Sequence, residues 1–279
     1  MDSFVNIFSD YLQKSELNEL SNSAGSGNFI HVSPALFDII IKSEVAYKSS
    51  HGAFDITIGP LARLWRKARK EKQFPSAASV EEKRRMVGFE KIKIDYSNRS
   101  IKLEIAGMQL DLGGIAQGYI AEEVLQRLKD FGVKKALVDV SGDIALGDSP
   151  PGRNGWSIGI NKPESDQLKK KLLLLHNRSV STSGDVYQFL EFKGKKYSHI
   201  INPITGYGIT SQRNVTVIAN NTTDADWLAT ACSILSVRKA KRLVRKMGGE
   251  VLIAEKKGTK IIEKSTPHFN RFFQGKGER

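Results

Sequence analysis

Apolar residues recur at helical spacing from the start of the chain. Val5, Phe8, Leu12, Leu17 and Leu20 predict a helix over 5–20, which the polar run SNSAGSGN then ends. A second helix is predicted over 34–49. Ser33 is its N-cap, Pro34 suits its first position, and Leu36, Ile39, Ile40 and Val45 are its apolar positions. GAFDITIGPLARLW turns at Gly59-Pro60 and enters a short helix. Another helix is expected over 76–86, capped near Ser79. In IKIDYSNRSIKLE two alternating runs flank Ser97-Asn98, which is a hairpin pattern.

MQLDLGG reads as a strand reaching a glycine pair. IAQGYIAEEVLQRLKDFG is the clearest helix, ended by Gly132. KALVDVSGDIALG reads as strand, polar turn and strand. Residues 156–192 are strand-rich, in WSIGI, LLLLH, RSVSTSG and YQFLEF. YSHIINPITGYG is predicted as a strand ending in a Pro-Gly turn, with His199 in the alternation beside Tyr197 and Ile201. VTVIAN is a further strand, 223–233 and 237–247 are helices, and EVLIAE and TKIIE are closing strands. No repeat, low-complexity segment or linker interrupts this order. The expected class is α+β, with mixed and antiparallel sheets and helices packed on them.

Composition narrows the function classes. The chain has 279 residues, 40% of them apolar, enough for one large domain or two intimate lobes. No apolar run approaches the ~18–20 residues that span a bilayer. The net charge of +13 invites a nucleic-acid reading, but Lys and Arg are scattered through amphipathic stretches. Without a helix-turn-helix, zinc-finger or aromatic RNP pattern, a solvated basic surface is the better reading. Cys232 is the single cysteine, so an intrachain disulfide and a cysteine zinc cluster are excluded. Its apolar surroundings, LATACSIL, mark it as a structural thiol. MDSFVNIFSDYLQ lacks the basic start, apolar stretch and small-residue site of a signal peptide.

Four polar, glycine-rich patches interrupt well-patterned elements, where function tends to sit. In DLGGIAQGY a strand ends, Gly113 and Gly114 turn, and a helix start offers N–H groups to an anion, with Asp111 as the alternative cap. VDVSGDIALGD holds Ser141-Gly142-Asp143. A type I′ hairpin turn explains it, and Asp143 could also reach a hydroxyl or a metal-bound water. STSGDVYQF is followed by His199, whose imidazole can take a proton from an attacking hydroxyl. In NTTDADWLATACSIL, Asp226 and Thr230 are four apart and share a helix face, giving a hard cation two oxygen ligands. The competing reading makes Asp224 or Asp226 a cap and packs Thr230. A magnesium site, glycine turns for phosphate and a histidine together suit nucleotide phosphoryl chemistry.

The ordered blocks FDITIGPLARLW, DLGGIAQGYIAEEV, LVDVSGDIALGD, STSGDVYQFLEFKGKKYSHIINPITGYG and VTVIANNTTDADWLATACSIL resemble the FAD:protein FMN transferase, or ApbE-like, family, over nearly the whole chain from about Ile7. The resemblance implies an ApbE-like, T-fold-like, two-lobed architecture, with 1–279 forming one transferase domain. It implies a substrate, FAD, and a cofactor, Mg2+. The FMN half passes to a Thr or Ser of an acceptor flavoprotein, such as a membrane redox-pump subunit, with release of AMP. By the same resemblance Asp226, Thr230 and the Gly114 carbonyl hold the metal. Asp111 and Gln117 contact the flavin nucleotide. His199 activates the acceptor hydroxyl and, with Ile201 beside it, contacts the cofactor, and Ser183, Gly184 and Asp185 form a cofactor-binding motif near the same site. The implied location is periplasmic or extracytoplasmic and membrane-attached, although this chain shows no signal or lipobox.

The pattern also departs from the family. Members usually open with a Gly-Thr-hydrophobic strand, but only FVNIFSDY precedes the SEL motif, so that strand is expected to be missing. Ser21 stands where asparagine is usual, Gln117 where lysine is common, and Asn202-Pro203 replaces Asp-Pro. These departures keep two alternatives open: a flavin carrier that binds FAD without transfer, and a magnesium-dependent FAD pyrophosphatase giving FMN and AMP.

Overall fold

Ser9 decides how the chain begins. Its hydroxyl accepts the amide N–H groups of Tyr11 and Leu12, a local turn that competes with the helix. The helix predicted over 5–20 is therefore two, α1 (Asp2–Phe8) and α2 (Glu16–Asn22). Ser15 caps α2, and the Asn18 amide donates back to the Leu12 carbonyl at 2.7 Å. The structure, a computed structural model, describes residues 2–160, 171–184 and 189–274.

The chain continues through β1 (Ile30–His31), α3 (Pro34–Ser50), α4 (Gly59–Glu71), α5 (Ala77–Arg84), β2 (Ile92–Asp95) and β3 (Ser100–Leu103). Then come α6 (Ala116–Asp130), β4 (Leu137–Val140), β5 (Asp143–Leu146), β6 (Trp156–Ile160), β7 (Lys171–Leu175) and β8 (Ser179–Gly184). Next are β9 (Phe189–Phe192), β10 (Lys195–Ser198), β11 (Arg213–Ala219), α7 (Thr222–Ile234), α8 (Val237–Lys246), β12 (Glu250–Lys257) and β13 (Lys260–Ser265). The class is α+β, and every described strand pair is antiparallel.

Two local expectations are corrected. Ser76, not Ser79, caps α5, because its side chain accepts the Ser79 N–H. MQLDLGG forms no strand: Leu110 N donates to Ser21 Oγ at 3.1 Å and Asp111 N to the Ile56 carbonyl at 2.8 Å. Single bonds to a helix side chain and a loop replace a ladder.

The chain divides into two compact units, Met1–Ala116 with Gln188–Thr210, and Gln117–Tyr187 with Ser211–Arg279. In the first, β1, β3 and β2 form a sheet in that order. Its helix α4 buries Leu61, Trp65 and Ala68 against Val80 of α5 and Leu190 of β9. The Trp65 ring stacks on Tyr197 at 5.8 Å, and its Nε1–H donates to the Gly206 carbonyl at 2.9 Å. Gly59 opens α4 because a Cβ there would lie 2.4 Å from the Gln109 carbonyl oxygen. Asp55 caps the short turn Ile56–Ile58 through Thr57, and burial pushes its carboxyl up to about 6.

The second unit is a six-stranded sheet in the order β13-β12-β11-β8-β5-β4. Side chains alternate across its faces. Val180 of β8 and Ile218 of β11 join Leu146, Leu173, Leu175, Leu252 and Phe269 in one apolar cluster. Ser179 turns to the opposite face, where its hydroxyl meets the Thr222 hydroxyl of α7 at 2.8 Å. On that face α6 buries Ala121 and Leu125 against Val138 of β4 and Ala145 of β5. The β4–β5 reversal has positive φ at both Ser141 (56°) and Gly142 (99°), as a type I′ turn requires. Cys232 is fully buried in α7, and burial pushes its thiol up to about 12, which makes it a structural residue. No described helix is long and apolar enough to cross a membrane.

Candidate active site

Asn221 caps α7, its side chain accepting the Asp224 N–H. Neither Asp224 nor Asp226 is needed for that role. Asp226 and Thr230 therefore stand one turn apart within the helix, on one face. Asp226 is buried, and its Oδ2 accepts the Gly118 N–H of α6 at 3.0 Å. Gly118 is the third residue of α6, where an N–H has no partner within the helix. The bond serves that orphan donor and leaves Oδ1 for a ligand.

Gly118 also permits the approach. A Cβ there would lie 2.4 Å from the Thr222 carbonyl oxygen and 2.7 Å from the Asp226 Cβ. Gly118→Ala is expected to destabilise the protein by about 1–3 kcal/mol through overpacking. Chemical denaturation would show this as a lowered midpoint at unchanged m-value. One turn on, Glu122 accepts the Thr223 Oγ1–H at 2.5 Å and ties the same two helices together.

Asp143, expected from the sequence as a turn residue that could also reach a hydroxyl or a metal-bound water, does reach a hydroxyl, that of Ser181. It opens β5, is buried, and accepts a hydrogen bond from the Ser181 side chain. Burial is the main cause pushing it up to about 6, with the charge of Asp139 adding and the Ser181 bond opposing. Asp226 is raised well above the usual carboxylate range, first by burial and then by the charge of Asp143, while the Gly118 bond opposes. No cation of the described residues is among the influences on Asp226. Nor is there, among the described residues, a group of three His, Cys, Asp or Glu side chains placed to hold a metal ion by themselves. The donors here are carboxylate and hydroxyl oxygens. That set fits a hard cation of the magnesium type and not zinc.

In the first unit Asp111 holds its own turn. Its Oδ1 accepts the Gly113 N–H at 2.9 Å and its Oδ2 accepts from Arg66 Nη2 at 2.8 Å. Arg66 also pairs with Asp10 and lies 4.4 Å over the Tyr11 ring. Burial and the Asp10 charge raise Asp111, and Arg66 opposes them. Gly114 sits in the turn where Ile115 N and Ala116 N both donate to the Leu112 carbonyl.

His199 lies one residue past β10, not within an alternating strand. The Ser198 hydroxyl accepts the Ile200 N–H at 3.0 Å and bends the chain there. His199 is half-buried, with its Nδ1 turned inward. Ile201 packs in the Trp65 cluster. Of the second unit's remaining positions, Gln117 is half-buried at the second residue of α6. Ser183 shares the β8 face of Ser179 and Ser181, and Gly184 closes on Asn214, whose Oδ1 would lie 2.3 Å from an added Cβ. Asp185 lies outside the described residues.

A family model described as the ApbE family matches residues 1–253. The chain belongs to the ApbE family. It is 32% identical over 235 residues to the FAD:protein FMN transferase of Klebsiella pneumoniae, covering 83% of this chain and 72% of that protein. It is also 32% identical over 250 residues to the FAD:protein FMN transferase of Treponema pallidum, covering 84% and 69%. The apo crystal structure of the Pseudomonas stutzeri flavinyl transferase ApbE is similar at a TM-score of 0.85 and 29% identity, over 98% of this chain and 85% of that one. The ApbE match takes in Asp111, Gly114, Gln117, His199, Asp226 and Thr230. It also takes in Arg66, Gly118, Asp143 and Ser181, whose roles depend on contacts distant in sequence.

Proposed function

We propose that this ApbE-family protein transfers the FMN half of FAD to a Thr or Ser hydroxyl of an acceptor flavoprotein and releases AMP. The family match over residues 1–253 carries the reading, because it includes every proposed position, the last of which is Thr230. Asp226 Oδ1 and the Thr230 hydroxyl are the side chains that would hold magnesium, and the resemblance adds the Gly114 carbonyl. Magnesium bound there would offset negative charge on the FAD diphosphate and the leaving AMP. Asp111 and Gln117 position the nucleotide, with Ile201 and the Ser183–Gly184–Asp185 motif as further contacts. His199 takes the proton of the acceptor hydroxyl as that oxygen forms its bond to the FMN phosphorus and the bond to AMP breaks. We place the reaction in the periplasm or another extracytoplasmic space, at the membrane, with a redox-pump subunit as the acceptor.

Mass spectrometry of an acceptor peptide incubated with enzyme, FAD and Mg2+ tests the reading. The expected product is peptide carrying one FMN, with one AMP released per transfer. Free FMN and AMP with no labelled peptide would instead identify an FAD pyrophosphatase, and bound FAD without turnover a carrier. His199→Ala is expected to lower transfer about a hundredfold, the low end for loss of a general base. FAD binding, followed by flavin fluorescence, should weaken far less than transfer does.

A further inference from the structure

We infer that Asp143 is a positioning residue of the cation site, supplying a second negative charge beside Asp226 so that the site matches one divalent ion. The inference rests on the cation site proposed above. Strand register carries it first. β5 pairs with β8 through Ile144↔Val180 and Ala145↔Ser179. Val180 faces the apolar cluster with Ile144 packed on it, so Ala145 and Asp143, two residues apart, face the helices. The Ser179–Thr222 hydroxyl contact aligns β8 with the first turn of α7. Two residues along the strand lead to Ser181 and one turn along the helix leads to Asp226, each a step of roughly 6 Å. Ser181 donates to Asp143, which fixes the acid on the face that the first turns of α7 cover.

The charge on Asp143 is not needed for the local fold. The hairpin turn before β5 is held by Asp139, whose Oδ1 accepts the Gly142 N–H at 2.8 Å. An asparagine would accept the Ser181 bond equally well. What the carboxylate adds is like charge beside another buried acid, Asp143 being 6% and Asp226 5% exposed. Such a pair is unfavourable unless a cation or a proton neutralises it. A divalent cation balances the two charges and a monovalent one does not.

The test uses Mn2+ as the probe with the full chain. Affinity is read by calorimetry and by the electron paramagnetic resonance of free Mn2+, and thermal unfolding is followed with and without the metal. Asp143→Asn is expected to weaken Mn2+ binding by about tenfold to a hundredfold, as loss of an outer-shell partner does. The metal-free protein should melt higher than wild type, since a buried repulsion is gone, and the rise in Tm caused by Mn2+ should shrink. A merely structural Asp143 would lower the metal-free Tm and leave affinity alone. Ser181→Ala, which keeps the acid but loosens it, should fall between wild type and Asp143→Asn. Wild-type affinity in Asp143→Asn overturns the inference while the cation site stands. If Asp143→Asn does not fold, wild-type affinity in Ser181→Ala overturns it. Failure of the wild-type protein to bind Mn2+ overturns the cation site and the inference with it.

Discussion

Asp226→Asn is expected to reduce FMN transfer about a thousandfold, corresponding to ~4 kcal/mol of lost transition-state stabilisation. Asparagine retains an oxygen for the Gly118 N–H, which Asp226 Oδ2 accepts at 3.0 Å, so α6 and α7 stay docked. What disappears is the charge that would attract the cation. The metal-free variant should be at least as stable as wild type, because the charge of Asp143 then has no buried acid to oppose. A thermal melt and a mass-spectrometric transfer assay on one preparation measure both effects. Full transfer by the folded variant would show that the metal is held elsewhere. Asp226→Ala is a poorer probe, since it also strands the Gly118 donor in a buried place.

Trp65→Ala should have the largest effect on stability, about 3–5 kcal/mol. Trp65 is fully buried and touches Phe74, Tyr197 and Tyr207, so neighbouring rings cannot all close on the space it leaves. Its Nε1–H bond to the Gly206 carbonyl would also be lost. Urea unfolding would report the loss directly, and Trp65→Phe should restore most of the packing but not the hydrogen bond. The effect reaches the proposed base. Tyr197, two residues before His199, and Ile201, two after it, both pack on the Trp65 cluster. Transfer by Trp65→Ala should fall even at temperatures where the protein remains folded, whereas Trp65→Phe should keep most of it.

Local chemistry was legible where the partners are close in sequence. The Asp226–Thr230 spacing needs only the 3.6-residue turn of α7, and Gly132 (φ 84°) ends the α6 region as its position suggests. The Ser141-Gly142 reversal likewise follows from two residues with positive φ. The long helix at the start was misread because periodicity does not register a serine side chain serving two amides. MQLDLGG was misread because an alternating run is a strand only if another strand pairs with it. His199 left its strand for the same kind of local reason, a Ser198 hydroxyl that captures the next amide but one.

The Asp226–Thr230 pair, the glycine turn at 113–114, the order of elements and membership of the ApbE family were determined by the sequence itself. Each depends on spacing or on motifs read in series. Only the tertiary structure decided that Arg66 holds Asp111 across 45 positions, that Gly118 meets Asp226 across 108, and that Asp143 turns toward the helices. Those contacts depend on strand register and helix docking, and a one-residue slip in β5 would send Asp143 to the other face. The physical reason is that hydrophobic patterning specifies faces within an element, while burial of the apolar clusters selects which elements those faces meet.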